Sequence, residues 1–183
     1  MKKVMVAVAD GVEEIEAVTI IDVLRRAGAD VTVTSVGNRQ IVASRQVRIT
    51  ADKNINECLD EEYDLIVLPG GIPGANNLAA SEPLSQLLKR QRDANKLYGA
   101  ICASPAVVLE SQGLLEGKKA TCYPSFAEKL TDSSSADQQV VVDGNCVTSQ
   151  GPGTAMKYAL KLVELLYDAQ KAQELADAMR FEL

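Results

Sequence analysis

The sequence predicts an α/β fold in which helices cover both faces of a mainly parallel sheet. Short β-type runs alternate with amphipathic helical patterns along all 183 residues, which is typical of chains that wind around such a sheet. Two runs, residues 64–68 and 97–101, are apolar almost throughout, as expected of strands buried on both faces. Because there is no internal repeat and no linker, we expect one domain, residues 1–183, built as a three-layer sandwich.

The first half of the chain predicts a strand, a helix and then further strands. Within the helix, Ile15, Val18, Ile21 and Leu24 recur at three-residue steps and Gly28 supplies a stop, which indicates an amphipathic helix with these residues on its apolar face. The predicted strands cover residues 4–9, 31–35, 41–44, 46–50 and 64–68.

The alternation continues through the second half. Ser81 is a suitable N-cap and Pro83 suits the first turn of a helix, whereas Asp143-Gly144 predicts a hairpin turn. The polar residues 131–139 predict a surface loop. The predicted helices cover residues 83–94, 105–113, 151–168 and 171–179, and the predicted strands cover residues 97–101, 119–122, 140–142 and 146–148.

The absence of histidine restricts the chemistry more than any other feature of the composition. A chain without histidine cannot form a Ser-His-Asp or Cys-His catalytic arrangement, or a zinc site with histidine ligands. Lys and Arg number 19 against 25 Asp and Glu, so the net charge is −6, which disfavours binding to nucleic acid or to anionic membranes. We expect no metal site.

The N-terminal region and the cysteines indicate a cytoplasmic protein with free thiols. The first apolar run reaches Asp10 after a few residues, so it is too short for a signal peptide or a membrane span. The four cysteines form no CxxC pair, which argues against a disulfide framework. They are Cys58, Cys102, Cys122 and Cys146.

Cys102 lies where a predicted buried strand passes directly into a helix. Its neighbours Ala100, Ala103 and Ser104 are small, so the junction resembles a nucleophile elbow, in which a tight turn presents a reactive side chain. In parallel sheets, sites form beyond the carboxyl ends of strands, and this junction is at such an end. The alternative is a structural cysteine, because cysteine is common in protein cores.

A reactive Cys102 requires a lowered pKa, which the helix start alone does not provide. A free thiol with a pKa near 8.5 is only about 3% ionised at pH 7, and a helix dipole contributes only about 0.3–1 kcal/mol. The loop after the first strand offers Glu13, Glu14 and Glu16. A protonated carboxyl there would donate a hydrogen bond to the thiolate, and the pair would titrate together. Spacing does not choose among the three, each of which could instead favour the helix dipole.

Gly70 and Gly71 follow the central predicted strand. Their backbone amides could face a substrate oxygen, or the pair could form a tight turn with unusual dihedral angles. Neither this segment nor Gly151-Pro152-Gly153 completes a GxGxxG motif or a P-loop, which makes nucleotide binding a weak hypothesis. We expect no cofactor.

Four segments in series resemble the DJ/ThiJ/PfpI superfamily, most closely the branch of the Parkinsonism-associated protein deglycase and its bacterial homologues. The resemblance runs in order from residue 3 to residue 166, and four motifs in series are far more specific than one. It implies a flavodoxin-like sheet of the class I glutamine amidotransferase type. The segments are GVEEIE at 11–16, LPGG at 68–71, AICASP at 100–105 and TSQGPGT at 148–154.

The resemblance also implies roles for individual residues. Cys102 would be the reactive cysteine, Glu16 the carboxyl that forms a hydrogen bond with it, and the amides of Gly71 and Ala103 the groups that bind an oxyanion. The implied partners are small aldehydes or glycated thiols and amines, together with a second copy of the chain. Gly70, Tyr123 and Pro152 would lie in or beside the substrate pocket, and Arg26 and Arg45 on the side of the dimer interface.

Tyr123 departs from the family pattern, because many relatives carry a histidine at this position. A phenol is a poor base at pH 7, so peptidase chemistry is disfavoured, whereas activities that need only the cysteine and the glutamate remain. We therefore expect a cofactor-independent enzyme of the glyoxalase III or deglycase type, which converts methylglyoxal to lactate in carbonyl and oxidative stress defence. The alternatives are a sensor or chaperone that acts through oxidation of Cys102, and a thiamine-biosynthesis protein of the ThiJ type.

Overall fold

The computed structural model of the protein describes residues 1–183, which form nine β-strands and five α-helices. The strands are β1 (Lys3–Val8), β2 (Asp30–Ser35), β3 (Gln40–Val42), β4 (Arg48–Thr50), β5 (Lys53–Asn54), β6 (Leu65–Leu68), β7 (Leu97–Ile101), β8 (Val140–Asp143) and β9 (Cys146–Ser149). The helices are α1 (Glu14–Arg26), α2 (Gly74–Ala79), α3 (Glu82–Asp93), α4 (Ala155–Leu166) and α5 (Ala169–Ala178).

Seven strands form one sheet, in the order β5-β2-β1-β6-β7-β9-β8. Neighbouring strands are parallel except for β8 and β9, which form an antiparallel hairpin at one edge. Strands β3 and β4 form a separate antiparallel pair. The mainly parallel sheet is therefore confirmed, as is the hairpin that Asp143-Gly144 predicts.

The helices form the two outer layers of the predicted sandwich. Helix α4 packs against both α1 and α5, whereas α2 and α3 contact each other and the central strands β1 and β6. Strand β1 is enclosed between these layers, since Val4 to Val8 are all 0% exposed. The core thus lies on both faces of the sheet, and polar groups can meet a cavity only at its edges.

The buried face of α1 differs from the predicted one. Ala17, Ile20 and Leu24 are buried in the core, whereas Ile15 and Val18 are 56% and 50% exposed. Because an α-helix has 3.6 residues per turn, each step of three residues stops short of a full turn. After three such steps, two positions nine residues apart lie on opposite sides of the helix. The prediction of one apolar face is wrong, and α1 carries an exposed apolar strip in addition to its buried side.

The strand predicted at residues 119–122 is also wrong. Backbone amides in this segment donate to side chains, with Lys119 N bonded to Asp143 Oδ2 and Thr121 N to Thr148 Oγ1, each at 2.9 Å. Because these partners are not backbone carbonyls, the segment forms no ladder with its neighbours. The segment leads directly into Tyr123.

Some helix boundaries agree with those that the sequence predicts, and others do not. Ser81 caps α3, where its Oγ accepts a hydrogen bond from Leu84 N at 3.4 Å. The helix predicted over residues 105–113 is instead a short π-helix, Pro105–Glu110, followed by turns. Helix α2 and strand β5 were not predicted, because six and two residues are too few for a periodic pattern.

None of the helices combines the length and the apolar composition that crossing a membrane requires. All four cysteines are buried and unpaired.

Candidate active site

Cys102 occupies a strained turn directly after β7. Its φ angle is 66°, in the left-handed region that residues with a side chain rarely adopt. Its amide donates to the Ser149 carbonyl at 3.0 Å, and its carbonyl accepts from Tyr123 N at 2.7 Å. The backbone is thus held from both sides, and strain of this kind is often found at functional sites.

Two glycines let the neighbouring loop approach Cys102 closely. A Cβ atom on Gly70 would lie 2.5 Å from Cys102 Cβ, and one on Gly71 would lie 2.5 Å from Glu13 N. Gly71 also has a φ angle of 88°, which favours glycine. The tight turn anticipated as an alternative therefore exists, and it is also what brings the Gly71 amide near the sulfur.

Glu16 is the glutamate that meets Cys102. It is 0% exposed in the first turn of α1, and its Oε2 accepts a hydrogen bond from Gly70 N at 2.7 Å. Its other oxygen, Oε1, is buried and makes no hydrogen bond of regular geometry, although the carboxyl interacts with the Cys102 thiol. Oε1 is therefore the oxygen available to the sulfur.

The other two glutamates of this loop are bound elsewhere. Glu13 Oε2 and Glu14 Oε2 both accept hydrogen bonds from Ser44 Oγ, at 2.9 and 2.8 Å. Glu14 Oε1 also accepts from Arg45 N at 2.7 Å. The choice that sequence spacing left open is thus decided by packing, because only Glu16 points inward between α1 and the Gly70 turn.

Burial raises the pKa values of both members of the pair. Removal from water raises the pKa of Glu16 to about 7, against the hydrogen bonds from Gly70 and Cys102. Burial and the nearby Glu16 charge raise the pKa of Cys102 to about 12, against the backbone amides of Gly71 and Ala103 that stabilise the thiolate. The expectation of a lowered thiol pKa is therefore wrong when the thiol is considered alone, since desolvation outweighs two amides.

The pair nevertheless loses its first proton near neutral pH. A pKa of about 7 for Glu16 and about 12 for Cys102 means that the two groups together hold one proton between these values. That proton can lie on the sulfur or on Oε1, because Oε2 is occupied by the Gly70 amide. A thiolate with a neutral carboxylic acid is thus one of the two forms of the singly protonated pair.

Cys102 borders a cavity of about 260 Å³ at the carboxyl edge of the sheet. The thiol is 9% exposed, so it is accessible from the cavity but largely surrounded by protein. Of the predicted residues, Gly71, Ala103, Tyr123, Pro152 and Arg45 also line the cavity, as does Glu13, one of the three glutamates considered for the site. The lining residues that were not anticipated are Ser44, Ile72 and Phe126.

Three predicted residues lie at different distances from the cavity. Gly70 lies beside the cavity, with its amide turned to Glu16. Arg45, expected on the interface side, is exposed at the cavity rim. Arg26 lies at the opposite end of α1 from Glu16 and pairs with Asp22 at 2.6 Å. Periodicity could not have found Ile72 and Phe126, because Ile72 lies outside the helices and strands and Phe126 lies in a six-residue 3₁₀ turn that is too short for a periodic pattern.

No three His, Cys, Asp or Glu side chains converge in a way that could hold a metal ion. The polar groups at Cys102 are instead two backbone amides and one carboxyl. This set can stabilise a negative charge and move a proton, which suits addition of the thiolate to a carbonyl carbon.

The sequence and the fold are similar to those of known proteins. The chain matches the DJ-1/PfpI family over residues 2–165. It is 52% identical to Protein DJ-1 homolog B of Arabidopsis thaliana over 96% of this chain and 40% of that protein, so it spans less than half of the plant relative. It is 35% identical to Glutathione-independent glyoxalase DJR-1.2 of Caenorhabditis elegans over 89% of this chain and 87% of that protein. The solved structure of oxidized Toxoplasma gondii DJ-1 has a TM-score of 0.98 and 45% identity, with 100% of both chains covered.

Proposed function

The chain belongs to the DJ-1/PfpI family, and we propose that it is a cofactor-independent enzyme that converts α-oxoaldehydes such as methylglyoxal to 2-hydroxy acids, using Cys102 and Glu16. The observation that carries the proposal is that Cys102 borders a cavity while its sulfur also meets a buried carboxyl and two backbone amides. A relative that is 35% identical is named a glutathione-independent glyoxalase, which supports the same reaction class here. Adducts of these aldehydes with thiols or amines are the related substrates.

The first step is addition of the sulfur to the aldehyde carbon. The Cys102 thiolate forms a carbon–sulfur bond, and the electron pair of the carbonyl moves to its oxygen. The amides of Gly71 and Ala103 face this region and stabilise the oxyanion, which then takes a proton from Glu16 to give a hemithioacetal. Preorganised amides of this kind act without reorganisation cost when the charge develops.

The second step moves hydrogen between adjacent carbons. Glu16 removes the proton from the former aldehyde carbon, and the electrons move to the ketone oxygen, which takes the hydroxyl proton of the hemithioacetal to become the 2-hydroxyl group. Glu16 then returns its proton to the former ketone carbon, and the former aldehyde oxygen becomes the thioester carbonyl. The product is a 2-hydroxy thioester of Cys102, which water hydrolyses to lactate and the free thiol. The aldehyde carbon is oxidised while the ketone carbon is reduced, so the reaction needs only water besides the substrate, and Glu16 acts as both base and acid.

Lactate formation from methylglyoxal tests the proposal. Cys102→Ala should lose at least about a thousandfold in kcat/KM because the nucleophile is absent, and Glu16→Gln about a hundredfold or more because proton transfer is lost. Cys58→Ala, which removes another buried thiol away from the cavity, should remain close to wild type. Equal lactate yields from wild type and Cys102→Ala would end the proposal, whereas full activity in Glu16→Gln would remove only the proton-transfer role.

A second candidate function is sensing of peroxide through Cys102. It is the only cysteine among the residues that line the cavity, and a neutral Glu16 would donate a hydrogen bond to a sulfinate. Two molecules of peroxide oxidise the thiol to the sulfinate and are reduced to water. Intact-mass measurement after mild peroxide should show a gain of two oxygens, absent in Cys102→Ala, and scattered oxidation of all four cysteines would contradict this function.

We also propose that the protein forms a homodimer through the exposed strip of α1. Ile15 and Val18 are 56% and 50% exposed, and Asp22 and Arg26 continue the same side of the helix at spacings close to whole turns. Arg45 joins this surface because its amide donates to Glu14. Light scattering should give the mass of two chains for wild type and of one chain for Val18→Glu, and a single-chain mass for wild type would contradict the dimer.

A further inference from the structure

We infer that the mouth of the Cys102 cavity selects α-oxoaldehydes that carry an apolar substituent, and that the side chains of Tyr123 and Phe126 form the surface that recognises this substituent. The inference rests on the proposed function and assigns the substrate class within it.

Tyr123 and Phe126 face the cavity together because of the local backbone. Phe126 lies in the 3₁₀ turn Pro124–Lys129, and Tyr123 is the N-cap of this turn. Phe126 N donates to the Tyr123 carbonyl at 2.8 Å, and both residues line the cavity. The two rings therefore form the aromatic wall of the cavity.

The position of the Tyr123 ring is fixed by its neighbours. A Cβ atom on Gly151 would lie 3.3 Å from Tyr123 Cδ2, so the ring packs directly over this glycine. The Tyr123 backbone amide donates a hydrogen bond to the Cys102 carbonyl at 2.7 Å. The wall is thus attached to the same turn that positions the sulfur, and it offers a preformed surface.

Core packing accounts for Phe126, which is half-buried against the core, but not for Tyr123. The chain has five tyrosines, two phenylalanines and no tryptophan, and Tyr63, Tyr98 and Tyr158 are buried in the core. Tyr123 is instead 44% exposed, and Ile72 on the same cavity is 47% exposed. Apolar surface left open beside a nucleophile is available to a substrate.

Other residues that line the cavity are polar, which gives the substrate a direction. They are Glu13, Ser44 and Arg45, and Glu13 Oε2 accepts from Ser44 Oγ at 2.9 Å. An apolar substituent placed against Glu13 would remove water from a carboxylate, which is costly. The substituent therefore points to the aromatic wall while the two carbonyl carbons lie over Cys102.

The size of the cavity sets an upper limit on the substituent. A volume of about 260 Å³ is below the range of about 300–1,000 Å³ that is usual for drug-sized ligands. A methyl group or a single aromatic ring is thus compatible with the cavity, whereas a large group would have to remain outside.

The ratio of kcat/KM for phenylglyoxal to kcat/KM for glyoxal tests the inference, because intrinsic differences in reactivity cancel when variants are compared. Tyr123→Ala and Phe126→Ala should each lower this ratio about tenfold, the order of magnitude of one lost apolar contact. Tyr123→Phe keeps the ring and should stay within about twofold of wild type. Val142→Ala removes an equally exposed side chain on β8, outside the cavity, and should leave the ratio unchanged.

The outcomes separate the inference from the proposed function. If wild type and all four variants convert both aldehydes with the same ratio, the selectivity is overturned and the proposed function stands. If Tyr123→Phe lowers the ratio as far as Tyr123→Ala, the phenol and not the ring recognises the substrate, which also overturns it. If wild type converts neither aldehyde, the proposed function and the inference fail together.

Discussion

Cys102 and Cys146 are both buried, but they lie at opposite ends of the parallel strands. We call the side of the sheet where the strands end the carboxyl edge and the side where they begin the amino edge. Cys102 follows the carboxyl end of β7, whereas Cys146 begins β9. Burial raises the pKa of each thiol to about 12. Only Cys102 has a carboxyl that can accept its proton and a cavity beside it. A raised pKa therefore marks burial at both edges, and the surrounding groups distinguish a reactive site from a structural one.

The two edges are filled in different ways. At the amino edge, Tyr98 Oη donates to the Leu114 carbonyl at 2.7 Å, and Tyr158 Oη donates to the Val147 carbonyl at 3.1 Å. These large side chains occupy the space around Cys146 and satisfy nearby carbonyls. At the carboxyl edge, small residues and glycines leave an opening, so that Cys102 meets a cavity.

Alkylation should give the largest difference between the two thiols. Cys102 should react with iodoacetamide at least about a thousand times faster than Cys146, because Cys146 reacts only after local opening that costs several kcal/mol. The Cys102 rate should rise with pH through about 7, where the pair loses its first proton. Peptide mass spectrometry measures both rates, and equal rates would show that the cavity does not admit reagents.

Glycine substitutions should affect stability strongly at both edges and activity at one. Gly70→Ala places a Cβ 2.5 Å from Cys102 Cβ, and Gly99→Ala brings one against the Tyr158 hydroxyl and the Val147 carbonyl. Each should lower the free energy of unfolding by about 3 kcal/mol, as measured by urea denaturation.

The matched control is Gly37→Ala, since no atom lies within 4 Å of the added Cβ and its stability should change little. In the fraction that remains folded, Gly70→Ala should also lose activity, whereas Gly99→Ala should not. Equal stability of Gly70→Ala and Gly37→Ala would mean that the loop moves away without cost.

Glu16 should make stability depend on pH in a defined direction. Its pKa is raised from 4.5 to about 7 in the folded protein, so the folded state holds this proton more tightly than the unfolded state. The resulting stabilisation is complete below about pH 4.5 and is lost as the pH rises through about 7, by up to about 3 kcal/mol. Unfolding of wild type and Glu16→Gln in urea over this range measures the difference, and parallel curves would contradict the raised pKa.

Tyr98→Phe should give the smallest effect and should be confined to stability. The Leu114 carbonyl loses a buried donor at 2.7 Å, which should cost about 1 kcal/mol of unfolding free energy. Activity should be unchanged, because the residue lies at the edge away from Cys102. A loss of kcat/KM without a loss of stability would show that the two edges are coupled.

Much of the fold could be predicted from local patterns. The apolar run before Cys102 and the Asp143-Gly144 turn predicted a buried strand and a hairpin, both of which the structure confirms. The apolar face of α1 was predicted wrongly, because residues such as Ile15 and Val18 are apolar and yet exposed. Hydrophobicity alone does not show which of two apolar strips a neighbouring layer covers.

The candidate site could be predicted in its residues but not in its energetics. Cys102 and the glutamate-rich loop were visible as motifs, whereas the selection of Glu16 depends on Gly70 N at 2.7 Å, a contact 54 residues away in sequence. The direction of the Cys102 pKa also could not be read from the chain, because desolvation depends on atoms from several elements. Ile72 and Phe126 became part of the cavity only through the turns that carry them.

The sequence by itself determined the alternation of strands and helices, the absence of histidine chemistry and the position of Cys102 after a strand, since these depend on residue type and order. The family resemblance implied Glu16, but only the tertiary structure showed that this carboxyl meets the sulfur, how far both groups are removed from water and which side chains border the cavity. The physical reason is that proton affinity and access depend on distances between distant segments, which packing sets and local sequence does not encode.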